Sequence, residues 1–302
     1  MRSEIIHSQR LPRALLVGGM KCGSSSLFSD LIQHPDVFNV LVKEPSFLKE
    51  PNWSAVQIVG AYRQLYKDAL DTDFIIDGST RYSMRNDRVN PAKRAAQILP
   101  ENTKIIYIIR EPVSRIVSHF RHAVDGADMV DNFEVALRQD KRLIDYTRYY
   151  HQLEPWLDVF GRKNVFVFTL DAYVEARQMI YAQLLAFLGL SPATLADSIA
   201  ANRAEGRVVL PKYLSKILRV LSSPRYSTIY QNPAVICMRR IGKKIIPKNN
   251  DRVPAFSPTA SDLSYIWENL VEDLKRIAPL CQGNLINSKT VWDAPTVQIL
   301  DN

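Results

Sequence analysis

Ala14-Leu15-Leu16-Val17-Gly18-Gly19-Met20-Lys21-Cys22-Gly23-Ser24-Ser25-Ser26-Leu27 runs a short apolar stretch into a glycine-rich turn and then into a helical pattern through Leu31 and Ile32. A strand, a tight turn and a helix N-terminus together make a ready anion site. The glycines let the backbone approach a ligand closely, and the first helical N–H groups point at it with the helix dipole behind them. Three serine hydroxyls add donors. Gly18 and Gly23 carry the spacing of the G-x-x-x-x-G-K-[ST] nucleotide loop, but Ser24 stands where that loop has its lysine. The lysine present, Lys21, lies inside the turn. A nucleoside triphosphatase needs its lysine on the terminal phosphates and a hydroxyl on Mg²⁺, so this loop aims its cation elsewhere. A turn that merely packs a helix on a strand is the alternative.

Outward from this loop, three more apolar, β-branched runs read as buried parallel strands: 74–76, 104–109 and 165–168, after the first at 14–17. Helical faces lie between and after them. One comprises Val113, Ile116, Val117, Phe120 and Val124, and another Tyr149, Leu153, Trp156, Leu157 and Phe160. A third, Tyr181, Leu184, Leu185 and Leu188, is closed by Gly189. Strands alternating with helices predict an α/β fold, a P-loop-type doubly wound and mainly parallel sheet flanked by helices. Residues 202–258 change character, with prolines at 211, 224, 233, 247, 254 and 258 and basic pairs Arg239-Arg240 and Lys243-Lys244. They read as short helices and loops on the sheet edge. A last helix, about 261–276, opens near Ser261 and buries Leu263, Ile266, Trp267, Leu270 and Leu274. The expectation is one domain over 1–302: a nucleotide-binding core at 12–190 and a helical C-terminal extension at 202–302.

The whole chain bounds the ligand. Its 302 residues are 46% hydrophobic and 23% charged, as in ordinary globular proteins. A net charge of +8 suits an anionic partner, whether nucleic acid, membrane surface or small polyphosphorylated molecule, although solubility alone can account for it. A nucleic-acid module lacks support, because no basic stripe is interleaved with aromatics. No run of about 18 apolar residues spans a membrane, and Met1 to Pro12 lacks a signal-peptide core. Cys22, Cys237 and Cys281 have no metal spacing. The cytoplasm is the expected compartment.

A second anion site follows the third strand at Arg110-Glu111-Pro112-Val113-Ser114-Arg115-Ile116-Val117-Ser118. Pro112 suits the first helical position, and Arg110 falls at the carboxyl edge of a central strand, where open α/β sheets bind ligands. Arg115, Ser118 and His122 are three and four residues apart and share a helix face. Taken singly, Arg110 pairing a carboxylate and Ser118 bonding within its helix are the favoured readings. Upstream, Lys43-Glu44-Pro45-Ser46-Phe47 offers a carboxylate that read alone is an ordinary surface pair. His119, His122 and His151 are the competing bases.

The run 17–27 resembles the 5′-phosphosulfate loop of sulfotransferases that use PAPS (3′-phosphoadenosine-5′-phosphosulfate), particularly their heparan sulfate and bacterial branch. The resemblance covers about 12–190 well and the rest loosely. It implies that Lys21, Cys22, Gly23, Ser24, Ser25 and Ser26 bind the phosphosulfate, with Lys21 catalytic. Arg110 and Ser118 match the family's 3′-phosphate motif, and Glu44 matches its catalytic base, with Lys43 resembling the lysine that often precedes it. Asp77 to Tyr82 resembles a loop bordering the active site; many heparan-type members have lysine where Gly78 stands, and Arg81 is the expected substitute. Tyr149 to Trp156 resembles the family's Y-x-x-x-L-x-x-W helix. Lys43, Arg81, His122 and Tyr149 are then expected to line the acceptor, and Arg207 to close over the nucleotide. PAPS is the implied co-substrate and PAP the product, with no metal required, since a sulfuryl group carries less charge than a terminal phosphoryl. The acceptor is a hydroxyl or amine of a carbohydrate, lipid or small natural product, as in soluble bacterial members. The rival function is a kinase using ATP and Mg²⁺, for which Asp77, ending an apolar strand, is the one metal-holding candidate.

Overall fold

The computed structural model describes residues 10–40, 42–85, 89–126, 128–195 and 257–281. Four parallel strands form its sheet: β1 (Ala14–Leu16), β2 (Ile76–Asp77), β3 (Lys104–Ile109) and β4 (Val165–Thr169), in the order β2-β1-β3-β4. Their apolar residues are almost wholly buried, as expected of strands covered on both faces. The strand anticipated at 74–76 is displaced by a residue or two. Phe74 is drawn off by the segment before it: its N–H donates to Asp36 and its carbonyl accepts from Phe38. The strand order reverses between β1 and β3, and ligands of open α/β sheets bind in that crevice, outside the carboxyl ends of the strands.

Around the sheet lie α1 (Ser24–Leu31), α2 (Ala55–Leu65), α3 (Pro91–Ile98), α4 (Pro112–Asp125), α5 (Phe133–Gln139), α6 (Arg142–Asp145), α7 (Tyr149–Phe160), α8 (Leu170–Glu175), α9 (Arg177–Leu188) and α10 (Ala260–Ile277). Sequence signals missed α2 and α3, yet both carry caps. Ser54 and Gln57 form a capping box on α2, and Asn90 with Pro91 starts α3. Helix α10 opens near Ser261 as expected, with Thr259 as its N-cap and Asp262 completing a capping box, and it buries Ile266, Leu270, Leu274 and Ile277 while Leu263 and Trp267 stay half-buried. It packs on α7 through a carboxylate: Asp273 accepts from the backbone N–H groups of Tyr150 and His151, both at 2.8 Å. That supplies the cap that α7 lacks locally. The remainder of 202–302, with Arg207, lies outside the described residues.

Candidate active site

The turn after β1 is shaped by what passes beneath it. A Cβ on Gly18 would stand 2.6 Å from the Tyr107 Cα and 2.8 Å from the Ile108 nitrogen, so only glycine lets the loop cross β3 here. Gly23 ends the turn at φ 89° and is followed directly by α1, whose first residues are Ser24, Ser25 and Ser26. Lys21 itself sits in the left-handed region, at φ 67°.

Two guanidinium groups hold successive loop carbonyls. Arg115 Nε donates to the Met20 carbonyl at 3.3 Å, and Arg110 Nη1 donates to that of Lys21 at 3.4 Å. In a trans peptide, N–H and C=O point in opposite directions. Pinning the Met20 carbonyl inward therefore turns the Lys21 N–H outward.

Arg115 is fully buried and does not share an open face with Ser118 and His122. It also donates to the Leu143 carbonyl (3.0 Å), Thr147 Oγ1 (2.8 Å) and His119 Nδ1 (3.2 Å). His119 is thereby removed as a base, since burial first and Arg115 second push its pKa down to about 3.

Two further expectations need correction. The Tyr149 side chain is wholly buried, and its hydroxyl donates to the Arg110 carbonyl at 2.6 Å, so it fixes the Arg110 backbone and does not line an acceptor. The Cys22 thiol is also wholly buried, its N–H is spent on the Gly19 carbonyl, and burial pushes its pKa up to about 11. Cys22 is part of the floor. Arg110 and Ser118, by contrast, are half-buried on β3's carboxyl end and α4. Glu111 caps α4 by accepting from Val113 and Ser114 N–H (2.8 and 2.6 Å), which sets the helix direction behind Arg110.

On the opposite rim, the Glu44 carboxylate accepts from Lys43 Nζ at 3.1 Å and Thr80 Oγ1 at 3.2 Å. The same ammonium reaches Ser24 Oγ and Ser25 Oγ, each at 3.2 Å, so Glu44 stands one ammonium's width from the start of α1. Arg81 is exposed, and its charge acts on Lys49 and Glu50; the cation that meets the loop is Lys43. His122 is exposed on the last turn of α4, and His151, exposed at its edge but partly desolvated by its neighbours, has its pKa lowered first by that desolvation and then by Arg85.

Beneath Glu44 lies a group that sequence reasoning treated as a metal candidate. Asp77 is wholly buried and accepts hydroxyl bonds from Ser79 (2.5 Å), Tyr62 (2.7 Å) and Tyr82 (2.7 Å). Ser79 Oγ in turn accepts from the Ser46 N–H, and Tyr82 OH from that of Leu48. The Asp77 carboxylate thus anchors the segment carrying Glu44, with its lone pairs turned inward. Burial raises its pKa to about 6 against the lowering effect of the three hydroxyls.

Alongside α6 a cavity of about 750 Å³ is lined by Arg85, Asp128, Asp140, Asp145, Arg142 and Tyr146 among others. Its central charges are paired: Arg142 bonds Asp128 at 2.7 Å and Asp140 at 2.5 Å.

The geometry is therefore an anion-binding turn with cations on two sides and a carboxylate facing it. The sulfotransferase domain profile matches residues 11–205. The chain belongs to the sulfotransferase domain family. Among relatives, it is 25% identical over 214 residues to heparan sulfate glucosamine 3-O-sulfotransferase 3A1 of Mus musculus, covering 68% of this chain and 52% of that one. It is also 25% identical over 215 residues to bifunctional heparan sulfate N-deacetylase/N-sulfotransferase 1 of Caenorhabditis briggsae, covering 65% and 25%. The chain spans about half the length of the first of these and a quarter of the second. A sulfotransferase from Alicyclobacillus acidocaldarius superposes with a TM-score of 0.54 at 24% identity, over 64% of this chain and 87% of that one, a likeness of fold. Among the described residues of this sulfotransferase domain, no helix is long and apolar enough to cross a membrane.

Proposed function

We propose that this domain transfers a sulfuryl group from PAPS to a hydroxyl of a carbohydrate acceptor. The observation that carries the reading is the placement of a carboxylate, Glu44, beside the hydroxyl-rich start of α1, with Arg110 at the adjoining strand end. The loop N–H groups, Lys21 and the serine hydroxyls take the 5′-phosphosulfate; Arg110 and Ser118 take the 3′-phosphate. The relatives' heparan sulfate chemistry supports a sugar hydroxyl as acceptor. In the transfer, a new O–S bond forms in line with the S–O bond to the nucleotide phosphate, which breaks and leaves with its electron pair. The acceptor's proton passes to Glu44, a positioned general base being worth about 10²–10⁴-fold. Lys21 and the loop donors stabilise charge growing on the departing bridging oxygen. Grip on the distant 3′-phosphate orients the donor without touching the reacting atoms.

The rival ATP-dependent reading loses its metal candidate, since the Asp77 oxygens are engaged by three buried hydroxyls. Calorimetric titration with 3′,5′-ADP and, separately, with ATP plus Mg²⁺ tests the choice. Binding of 3′,5′-ADP is expected, and Arg110→Ala should weaken it roughly 10–100-fold through loss of a charge-assisted contact. Heat evolved only with ATP and Mg²⁺ would reject the reading.

A further inference from the structure

We infer that Lys43 is a second catalytic cation, one that binds the sulfuryl oxygens and links donor occupancy to the readiness of Glu44. The inference rests on the sulfuryl-transfer reading and extends it to a residue with no assigned part in the chemistry.

A lysine ammonium has three N–H donors. Those of Lys43 meet three acceptors: Ser24 Oγ at 3.2 Å, Ser25 Oγ at 3.2 Å and Glu44 Oε1 at 3.1 Å. A surface lysine normally trails into solvent; this side chain is only 21% exposed and is held at one point. That point is the mouth of the anion-binding turn.

The surrounding chain is shaped to keep it there. A Cβ on Gly78 would stand 3.1 Å from Lys43 Cγ and 2.7 Å from the Phe28 ring of α1. The Gly78 N–H also donates to the Lys43 carbonyl at 3.2 Å. Helix α1, the end of β2 and the 43–44 segment therefore converge on the aliphatic stem, and glycine at 78 leaves the room it fills.

Sharing gives the arrangement its consequence. Without an anion the ammonium divides itself between the loop hydroxyls and Glu44. A sulfuryl group at the loop presents new anionic oxygens to the same donors and draws the ammonium toward itself. Glu44 Oε1 then keeps only the neutral Thr80 hydroxyl and loses its cationic partner, which makes it a better acceptor for the incoming proton, so donor binding arms the base. Charge building on the sulfuryl and bridging oxygens is stabilised by the cation already in place. The product nucleotide, which lacks the sulfuryl, makes no use of it.

The test separates kcat from nucleotide affinity. Lys43→Met should lower kcat roughly 10²–10³-fold while the Kd for 3′,5′-ADP stays within about threefold and the melting temperature holds. Lys43→Arg should recover part of the rate, and Gly78→Ala, by crowding the stem, should lower kcat with the same retention of 3′,5′-ADP binding. A near-normal kcat in Lys43→Met overturns the inference. Parallel loss of 3′,5′-ADP binding in Lys43→Met also overturns it, because the lysine would then serve the loop's shape. Wild-type protein that turns over PAPS in the same assay keeps those failures distinct from failure of the sulfuryl-transfer reading itself; wild-type protein that neither binds 3′,5′-ADP nor turns over PAPS removes both.

Discussion

The floor and the rim of the loop after β1 are built on opposite terms. Beneath it, Arg115, Cys22 and Tyr149 are fully buried and bonded to backbone or to neighbouring side chains. Around it, Ser25 and Glu44 are accessible, and Lys21, Arg110 and Ser118 are half-buried. The floor's cation meets carbonyls, a hydroxyl and an imidazole, and among the described residues no carboxylate bonds it. A positive charge left uncompensated in a low-dielectric position acts at longer range than a surface charge. The floor thus supplies field and shape, and the rim supplies contacts. The two should fail differently when cut.

The largest effect belongs to the floor. Arg115→Ala removes a long buried side chain and takes the guanidinium from the Met20 carbonyl. The weak Cys22 thiol contact to that carbonyl stays, but the Leu143 carbonyl and the Thr147 hydroxyl also lose the guanidinium, so cavity and lost bonds together should cost about 3–5 kcal/mol of folding stability. Urea denaturation measures it, with the loop's nucleotide affinity falling in parallel. An unchanged denaturation midpoint would dissolve the distinction between floor and rim.

Next comes the rim. Lys21→Ala keeps a Cβ in the same left-handed backbone, so the turn gains no new strain. Transfer should fall about 10²–10³-fold, with the denaturation free energy within about 0.5 kcal/mol of wild type. A stability loss as large as that of Arg115→Ala would place Lys21 on the floor.

This contrast also explains what could be read from sequence. The strand at 104–109 and the arginine after it were legible because a fully buried parallel strand is a continuous apolar run, and chain order puts its end beside the loop. Cys22 and Tyr149 were misplaced for the opposite reason. Membership of a motif marks them, but whether a side chain faces the ligand or the core depends on chain that arrives from elsewhere: α7 lies 127 residues from Cys22. Glu44 and Lys43 were found as a pair, yet the reach of Lys43 to Ser24 depends on the space left at Gly78, which no periodicity encodes. Asp77 drew notice as an acid at a strand end and as the start of a loop expected to border the site, not as a buried anchor. Its partners Tyr62 and Tyr82 come from α2 and from the turn at 80–83, and neither element showed in the sequence pattern.

Asp77 also breaks the simple division, since it is a floor group that supports the rim, and its protonation offers the finest test. Burial raises its pKa from 3.8 to about 6. In the unfolded chain the carboxyl ionises near its ordinary value, whereas the folded protein holds the proton about 2 pH units longer. Between those values the native state binds more protons, so this group's contribution to stability is present below about pH 4 and is lost as pH rises through about 6. The full swing is about 3 kcal/mol. Other carboxylates titrate in the same window, so the useful quantity is the change with pH in the difference between wild type and Asp77→Asn, which lacks this ionisation and whose altered hydrogen bonding is the same at every pH. Urea denaturation of both proteins at pH 4 and pH 7.5 should show wild type losing about 2 kcal/mol relative to the variant as pH is raised. A difference independent of pH would mean that the three hydroxyls hold the carboxylate ionised throughout, and Asp77 would then anchor the Glu44 segment as a charge instead of as a proton-sensitive hub.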